Sequence, residues 1–462
     1  MAKEARTEQR RPYIRDAGRS FNGPADMATA GTGMVLLALA TGFVIGFLVF
    51  LLMSLVNWLT ALLWGIGGAA AGVPWYSLAV CTLGGLVIGL WTWYSRSRVE
   101  GLETVMGEFK ATGTYRLRGG VGKSAVSFLL PLVFGGSVGF EAGLTGIITA
   151  ACCWIRDKLK AAGLREMHIA DVTIAASFSA IFGAPIAGIV AGAESAPKGG
   201  DVLEEPSVND YDMRRGVKVV LYTTAAIGAF AGIRAGTALF GGNAGLPHFD
   251  SIQAVAADLL WVVPCLAVAY VMALVYHASR VGTAHLAARM GNGQMGTILK
   301  PVIAGVAIGA IAMAFPLVLF PGEEQSHELM ATWTTWTAVA LLATGMLKAA
   351  ATPLCINMGW MGGNFFPSIF AGVACGYGLA ALTGADPMLM VTVVATGFLA
   401  GVTRKPLLTI AILALCFPLD GILWSGLAAV IGAALPLPRM LRVPDAQPRR
   451  RPRMRKVNDD AR

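Results

Sequence analysis

No Asp, Glu, Lys or Arg stands between Asp26 and Arg96, and at roughly 20 residues per helical pass such a stretch crosses the hydrocarbon core of a bilayer more than once. Further apolar runs occupy 125–154, 172–193, 217–232, 255–278, 301–320, 330–347, 365–402 and 407–438. They predict about ten or more helical segments. Some are too short or too interrupted by glycine to be simple spans. The polar stretches 96–123, 195–216, 240–254, 279–300 and 321–329 separate the runs, and none is long enough to form another domain. The pattern is that of an all-α polytopic membrane protein.

Two stretches of this apolar region share a plan. The first carries Gly135-Gly136-Ser137-Val138-Gly139-Phe140-Glu141-Ala142-Gly143, followed by Phe182-Gly183-Ala184-Pro185-Ile186-Ala187-Gly188-Ile189. The second carries Gly362-Gly363-Asn364-Phe365-Phe366-Pro367, followed by Arg404-Lys405-Pro406-Leu407-Leu408-Thr409-Ile410. From Gly139 to Pro185 is 46 positions, and from Gly363 to Pro406 is 43. A duplicated unit follows, with halves at about 27–232 and 255–438. Repeats with glycine- or proline-broken apolar helices at matching positions mark transporters whose site lies between the repeats. The expected site is where 139–143 meets 363–367.

Composition sharpens the class. The chain is 55% hydrophobic and 14% charged, with a mean hydropathy of +0.64, well beyond the usual soluble domain. Its net charge of +9 sits largely at the ends. Arg10, Arg11, Arg15 and Arg19 precede the first span, and Arg449, Arg450, Arg451, Arg453, Arg455 and Lys456 follow the last. That placement reads as an orientation signal rather than a nucleic-acid surface. It puts a basic tail, 1–26, and a disordered basic tail, 439–462, in the cytoplasm, around a membrane domain at 27–438. The long charged N-terminus and extended first apolar run are unlike a secretory signal peptide. The seven cysteines lie in apolar runs without metal-ligand spacing, and the five histidines show no ligand pattern. Gly-Gly-Val-Gly-Lys-Ser at 119–124 has Leu117 where a phosphate-binding loop needs its first glycine. No cofactor, metal, nucleic-acid partner or catalytic arrangement is expected, and the chain does not read as an enzyme.

A glycine-rich break at a helix start leaves backbone N–H groups unpaired at the positive end of the helix dipole. Two such ends from opposite halves can hold a dehydrated anion without a fixed cation. Glu141 is the carboxylate at the first break. It can itself occupy the anion site and swing away once protonated; the alternative is a helix-start charge facing water. Lys348, in Gly-Met-Leu-Lys-Ala-Ala-Ala, is an intramembrane cation and so a candidate functional group, with snorkelling to the interface as the plainer reading.

GSVGFEAG, FGAPIAGIVAGAES, GGNFFPSIFAG and TRKPLLTIAIL, in this order and spacing, resemble the CLC family of chloride channels and chloride/proton antiporters over residues 30–440. The resemblance implies a CLC-like inverted-repeat bundle with broken and short helices, and a homodimer with one anion pathway per subunit. Glu141 then matches the gating glutamate, and the amides of Phe140, Glu141, Ala142, Asn364, Phe365 and Phe366, with Gly363, match the anion sites. A basic residue is frequent at the position of Lys348. The departures are informative. The family's Gly-Ser-Gly-Ile-Pro loop aligns with Val99-Glu100-Gly101-Leu102-Glu103, which puts Glu100 where the serine stands. Ser195 takes the place of the inner proton-transfer glutamate, with Glu194 one residue before it. The late inner-site tyrosine has no match in the final segment.

These features predict transport of a small monovalent anion, chloride first, through a glutamate-gated pathway in the inner membrane, with both termini cytoplasmic. Ser195 favours a channel. A chloride/proton or fluoride/proton antiporter is the alternative, and a transport-inactive scaffold or receptor is the reading of another class.

Overall fold

The computed structural model describes residues 24–68, 75–96, 105, 117, 120–161, 215–241, 247–414 and 416–441. These residues form α1 (Pro24–Gly68), α2 (Tyr76–Ser95), α3 (Val121–Val133), α4 (Glu141–Ala161), α5 (Arg215–Phe240), α6 (Val262–Arg289) and α7 (Gln294–Ala312). The order continues with α8 (Glu323–Thr332), α9 (Ala338–Asn357), α10 (Phe365–Thr383), α11 (Pro387–Thr403), α12 (Pro406–Leu413) and α13 (Ile422–Ala434). Among them, six helices are long and apolar enough to cross a membrane.

Several apolar runs divide where local chemistry demands it. The run 365–402 becomes α10 and α11, because Gly384 at φ 70 ends the first helix and Asp386 caps the second through Leu389 N–H, ahead of Pro387. Run 407–438 splits into α12 and α13 around Pro418, which has no N–H with which to continue a helix. Two polar separators are shorter than expected. The stretch 279–300 contracts to 290–293, because α6 carries Arg280 and Arg289 into its last turns, where cations suit the helix end. The stretch 321–329 is largely α8, with Glu323 and Glu324 in its first turn.

The two breaks repeat in backbone detail. Helix α3 ends with Gly135 at φ 85 and α9 with Gly359 at φ 97. Gly135 N–H donates to Leu132 O and Gly136 N–H to Pro131 O; Gly359 N–H donates to Ile356 O and Trp360 N–H to Cys355 O. Both are Schellman ends, for which glycine supplies the left-handed residue. Four residues after each left-handed glycine come Gly139 and Gly363, and two after those come the first residues of α4 and α10. Gly139 and Gly363 then bond each other reciprocally, Gly139 N–H to Gly363 O at 2.8 Å and Gly363 N–H to Gly139 O at 2.7 Å. An antiparallel bridge between equivalent residues is what a two-fold relation between the halves requires.

The same relation recurs at α2 and α7. Gly85 and Gly89 lie against Pro301 and Ile298, while Gly305 and Gly309 lie against Cys81 and Leu78. Small residues let these backbones touch, the usual means of packing helices in lipid. Gly42 and Gly46 of α1 lie likewise against Ala225 and Ala229 of α5, while Gly228 and Gly232 of α5 lie against Leu39 and Phe43 of α1. At the centre, α11 is buried from Met388 to Val402 and α10 from Phe365 to Ala380. Helices apolar all round belong inside. Apolar side chains on the outer helices, including Leu36, Val44, Leu83, Val263 and Leu423, face outward, as a lipid-contacting surface demands.

Candidate functional site

The Gly139–Gly363 bridge brings the N-termini of α4 and α10 to one place, and Glu141 begins α4 there. Its side chain is 1% exposed. Oε1 accepts from Phe365 N–H, the first amide of α10, at 2.6 Å. Oε2 has no partner among the described residues. The position equivalent to Glu141 in the second half is Phe365, so the acid of one repeat is held by the helix start of the other.

The carboxyl group fits its slot because both flanking residues are glycine. A Cβ on Gly139 or on Gly363 would collide with the Glu141 carboxyl. Neither glycine has a positive φ, so space and not conformation is what excludes larger residues. Two helix dipoles meet the carboxylate at their positive ends, which offsets part of the cost of burying it away from water. Phe140, 2% exposed, and Phe366, fully buried, close over the junction with ring centroids 4.1 Å apart. Ala142, at 1% exposure, completes the first turn of α4.

Of the residues singled out in the sequence, Phe140, Glu141, Ala142, Gly363, Phe365 and Phe366 therefore come together. Asn364 joins them through its backbone, but its side chain turns away and donates from Nδ2 to the Tyr276 hydroxyl of α6 at 3.1 Å. That tyrosine did not stand out in the sequence. A hydroxyl-bearing ring followed by His277 inside the apolar run 255–278 is the signal that marks it. Glu100, Glu194 and Ser195 lie outside the described residues, as do the second-motif residues 182–189.

Lys348 does not snorkel. Fully buried, its Nζ donates to the carbonyls of Leu317, Val318, Leu319 and Phe320 at 3.2, 3.1, 2.9 and 2.9 Å. It also lies 4.7 Å from the centroid of the Phe370 ring. Phe320, at φ 64, donates its N–H to Gly135 O. The ammonium thus braces the turn that leans on the first break. One helical turn further, Thr352 Oγ1 stands 3.4 Å from Ser137 Oγ within that break.

An apolar helical bundle of two related halves, whose broken helices meet at their pseudo-dyad, is the architecture of a membrane transport protein. The sequence profile described as "Voltage gated chloride channel" matches residues 83–436, and the chain belongs to that family. The family consists of anion transport proteins, so this is a multi-pass membrane protein and not a member of an enzyme family. A Ralstonia nicotianae protein named as a ClcB-like chloride channel is 27% identical over 379 residues, covering 76% of this chain and 80% of that one. A slow cyanobacterial Cl−/H+ antiporter has a similar fold, with a TM-score of 0.68 at 17% identity over 87% of this chain and 94% of that one. A CLC-type fluoride/proton antiporter gives 0.62 at 16% identity over the same shares. A eukaryotic CLC transporter gives 0.61 at 16% identity, with 87% of this chain and 71% of that chain covered. At these identities the likeness is one of fold.

Proposed function

We propose that the chain conducts a small monovalent anion, chloride, along a pathway past the meeting helix starts, with Glu141 as its gate. The supporting observation is the position of the Glu141 carboxyl: a single negative group seated on the first amide of α10, between two helix N-termini, with one oxygen unpartnered among the described residues. A chloride ion asks for the same thing, N–H donors and dipoles without a fixed cation. The carboxylate and the anion compete for that seat. The donors are the amides of Phe140, Glu141, Ala142, Asn364, Phe365 and Phe366, with Gly363 leaving room.

In this reading the domain spans 27–438, with tails 1–26 and 439–462 in the cytoplasm, and the protein sits in the inner membrane as a homodimer with one pathway per subunit. A channel is favoured, because Ser195 stands at the position of the inner proton acceptor. The antiporter reading, with chloride or fluoride exchanged for protons, draws support from Oε2: it can take a proton while Oε1 keeps its bond to Phe365. Glu194 would then be the inner relay.

The test is purified protein in liposomes under a chloride gradient, with chloride efflux and external pH recorded together. Chloride efflux without proton movement supports the channel. Proton uptake driven by chloride alone establishes the antiporter. No anion flux of any kind overturns transport and leaves the scaffold reading.

A further inference from the structure

Backbone carbonyls at a helix C-terminus have no partner within the helix. At the end of α3 the carbonyls of Val133, Phe134 and Gly135 lead straight into the break that carries Glu141, and each is taken by a different element. Trp64 Nε1–H, near the end of α1, donates to Val133 O at 2.9 Å. Cys81 Sγ–H of α2 donates to Phe134 O at 3.5 Å, and Phe320 N–H to Gly135 O at 3.3 Å. A thiol is a weak donor, and the Phe320 bond lies at the long end of the range. The indole makes the strongest of the three.

The same indole also packs on the break. A Cβ on Gly135 would stand 2.8 Å from Trp64 Cζ2, so the ring lies directly over the glycine whose φ of 85 ends α3. Its edge meets the Phe320 ring at 5.1 Å, and Phe320 is the residue that holds Gly135 O. From behind, the Tyr76 ring meets it edge-on at 5.8 Å, while the Tyr76 hydroxyl donates to Leu63 O, next to Trp64, at 2.6 Å. Over Gly359, the equivalent of Gly135 in the second half, lies Pro301 instead, a ring with no N–H to donate. The indole therefore stands on the half that carries the acid.

Between Gly135 and Glu141 the chain has little slack. Gly136 N–H donates to Pro131 O at 2.7 Å, Val138 N–H to Gly136 O at 2.8 Å and Gly139 N–H to Gly363 O at 2.8 Å. A shift at the end of α3 is thus passed on to the carboxyl, whose slot between Gly139 and Gly363 has no room to absorb it. Functional groups of this kind depend on supporting residues that hold them to within about 0.5 Å. We propose that Trp64 is a positioning residue for the gate: its indole fixes the end of α3, which keeps the Glu141 carboxyl seated on Phe365 N–H. This role rests on the reading of Glu141 as the gate.

The test is chloride efflux from liposomes against pH for Trp64→Phe, which keeps an aromatic ring and removes the N–H, made in the parent and in Glu141→Gln protein, with thermal melting alongside. In the parent, efflux at pH values where the gate is closed is expected to rise by roughly two- to tenfold, the contribution of one neutral hydrogen bond, with efflux in acid unchanged. In the Glu141→Gln background, with no carboxylate to seat, Trp64→Phe is expected to change nothing. A folded Trp64→Phe protein with the parental pH profile overturns the proposal. So does an equal change in both backgrounds, which marks a merely structural role. If Trp64→Phe does not fold, Phe320→Leu, which keeps the N–H to Gly135 O and removes the ring that Trp64 meets, is read in the same two backgrounds against the same criteria. A Glu141→Gln protein with the parental pH response overturns the gate reading, and this proposal with it, before Trp64 is altered.

Discussion

Gly363→Ala acts on the gate without touching the acid. The added Cβ would meet the Glu141 carboxyl carbon and Oε1 well inside van der Waals contact, with Cγ at 2.5 Å. The glycine backbone is held by the reciprocal bridge to Gly139, so the side chain is what moves. Moving it costs the bond from Phe365 N–H at 2.6 Å. A hydrogen bond to a charged group contributes about 1.5–3 kcal/mol, so the equilibrium between seated and displaced carboxyl shifts by roughly ten- to a hundredfold. The assay is chloride efflux from liposomes across a range of pH, with thermal melting as a check on folding. The substituted protein is expected to leak chloride at pH values where the parent is closed, and to lose most of its pH response. Gly139→Ala, pressing from the opposite side of the same slot, is expected to do likewise. A folded Gly363→Ala protein with parental flux and parental pH dependence would refute the slot as the gate's seat.

Lys348→Met removes the donor shared by three buried carbonyls and a part-buried fourth, each buried one costing about 1–3 kcal/mol when left unsatisfied; after relaxation a loss on the order of 3 kcal/mol is expected, read as a marked fall in Tm in detergent. Gly46→Val drives a side chain into the Ala229 backbone, so α1 and α5 should separate and the protein should melt early or fail to assemble in a size-exclusion assay. Gly282→Ala is the opposite case: nothing among the described residues lies within 4 Å of the added Cβ on α6, and replacing a helical glycine is expected to stabilise by about 0.5–1 kcal/mol, seen as a small rise in Tm with unchanged flux.

The sequence carried the membrane class and the duplication plainly, because charge-free apolar runs and glycine-rich breaks are local signals. The match of Gly139 with Gly363 was legible for the same reason, and these two residues bond each other. Helix ends were less legible. The run 365–402 looked continuous because Gly384 and Pro387 interrupt it for only a few residues. The polar 321–329 stretch reads as a separator because its charges break the apolar run, although Glu323 and Glu324 suit the first turn of α8. Side-chain partners across the bundle were out of reach. Lys348 was visible as an odd cation, but its four carbonyl partners come from a turn about 30 residues away, and no spacing rule links them. The Tyr276–Asn364 bond joins residues 88 positions apart, which no local pattern links. Glu100, Glu194 and Ser195 keep the standing of sequence expectations.

The most direct measurement of the central claim is chloride efflux against pH for Glu141→Gln beside the parent chain. Protonation removes the negative charge that fills the seat, so parental flux is expected to rise as pH falls. Glutamine has the same shape without the charge. Its flux is expected to be flat with pH, at or above the level the parent reaches in acid. Equal flux and an equal pH response in the two proteins would contradict Glu141 as the gate.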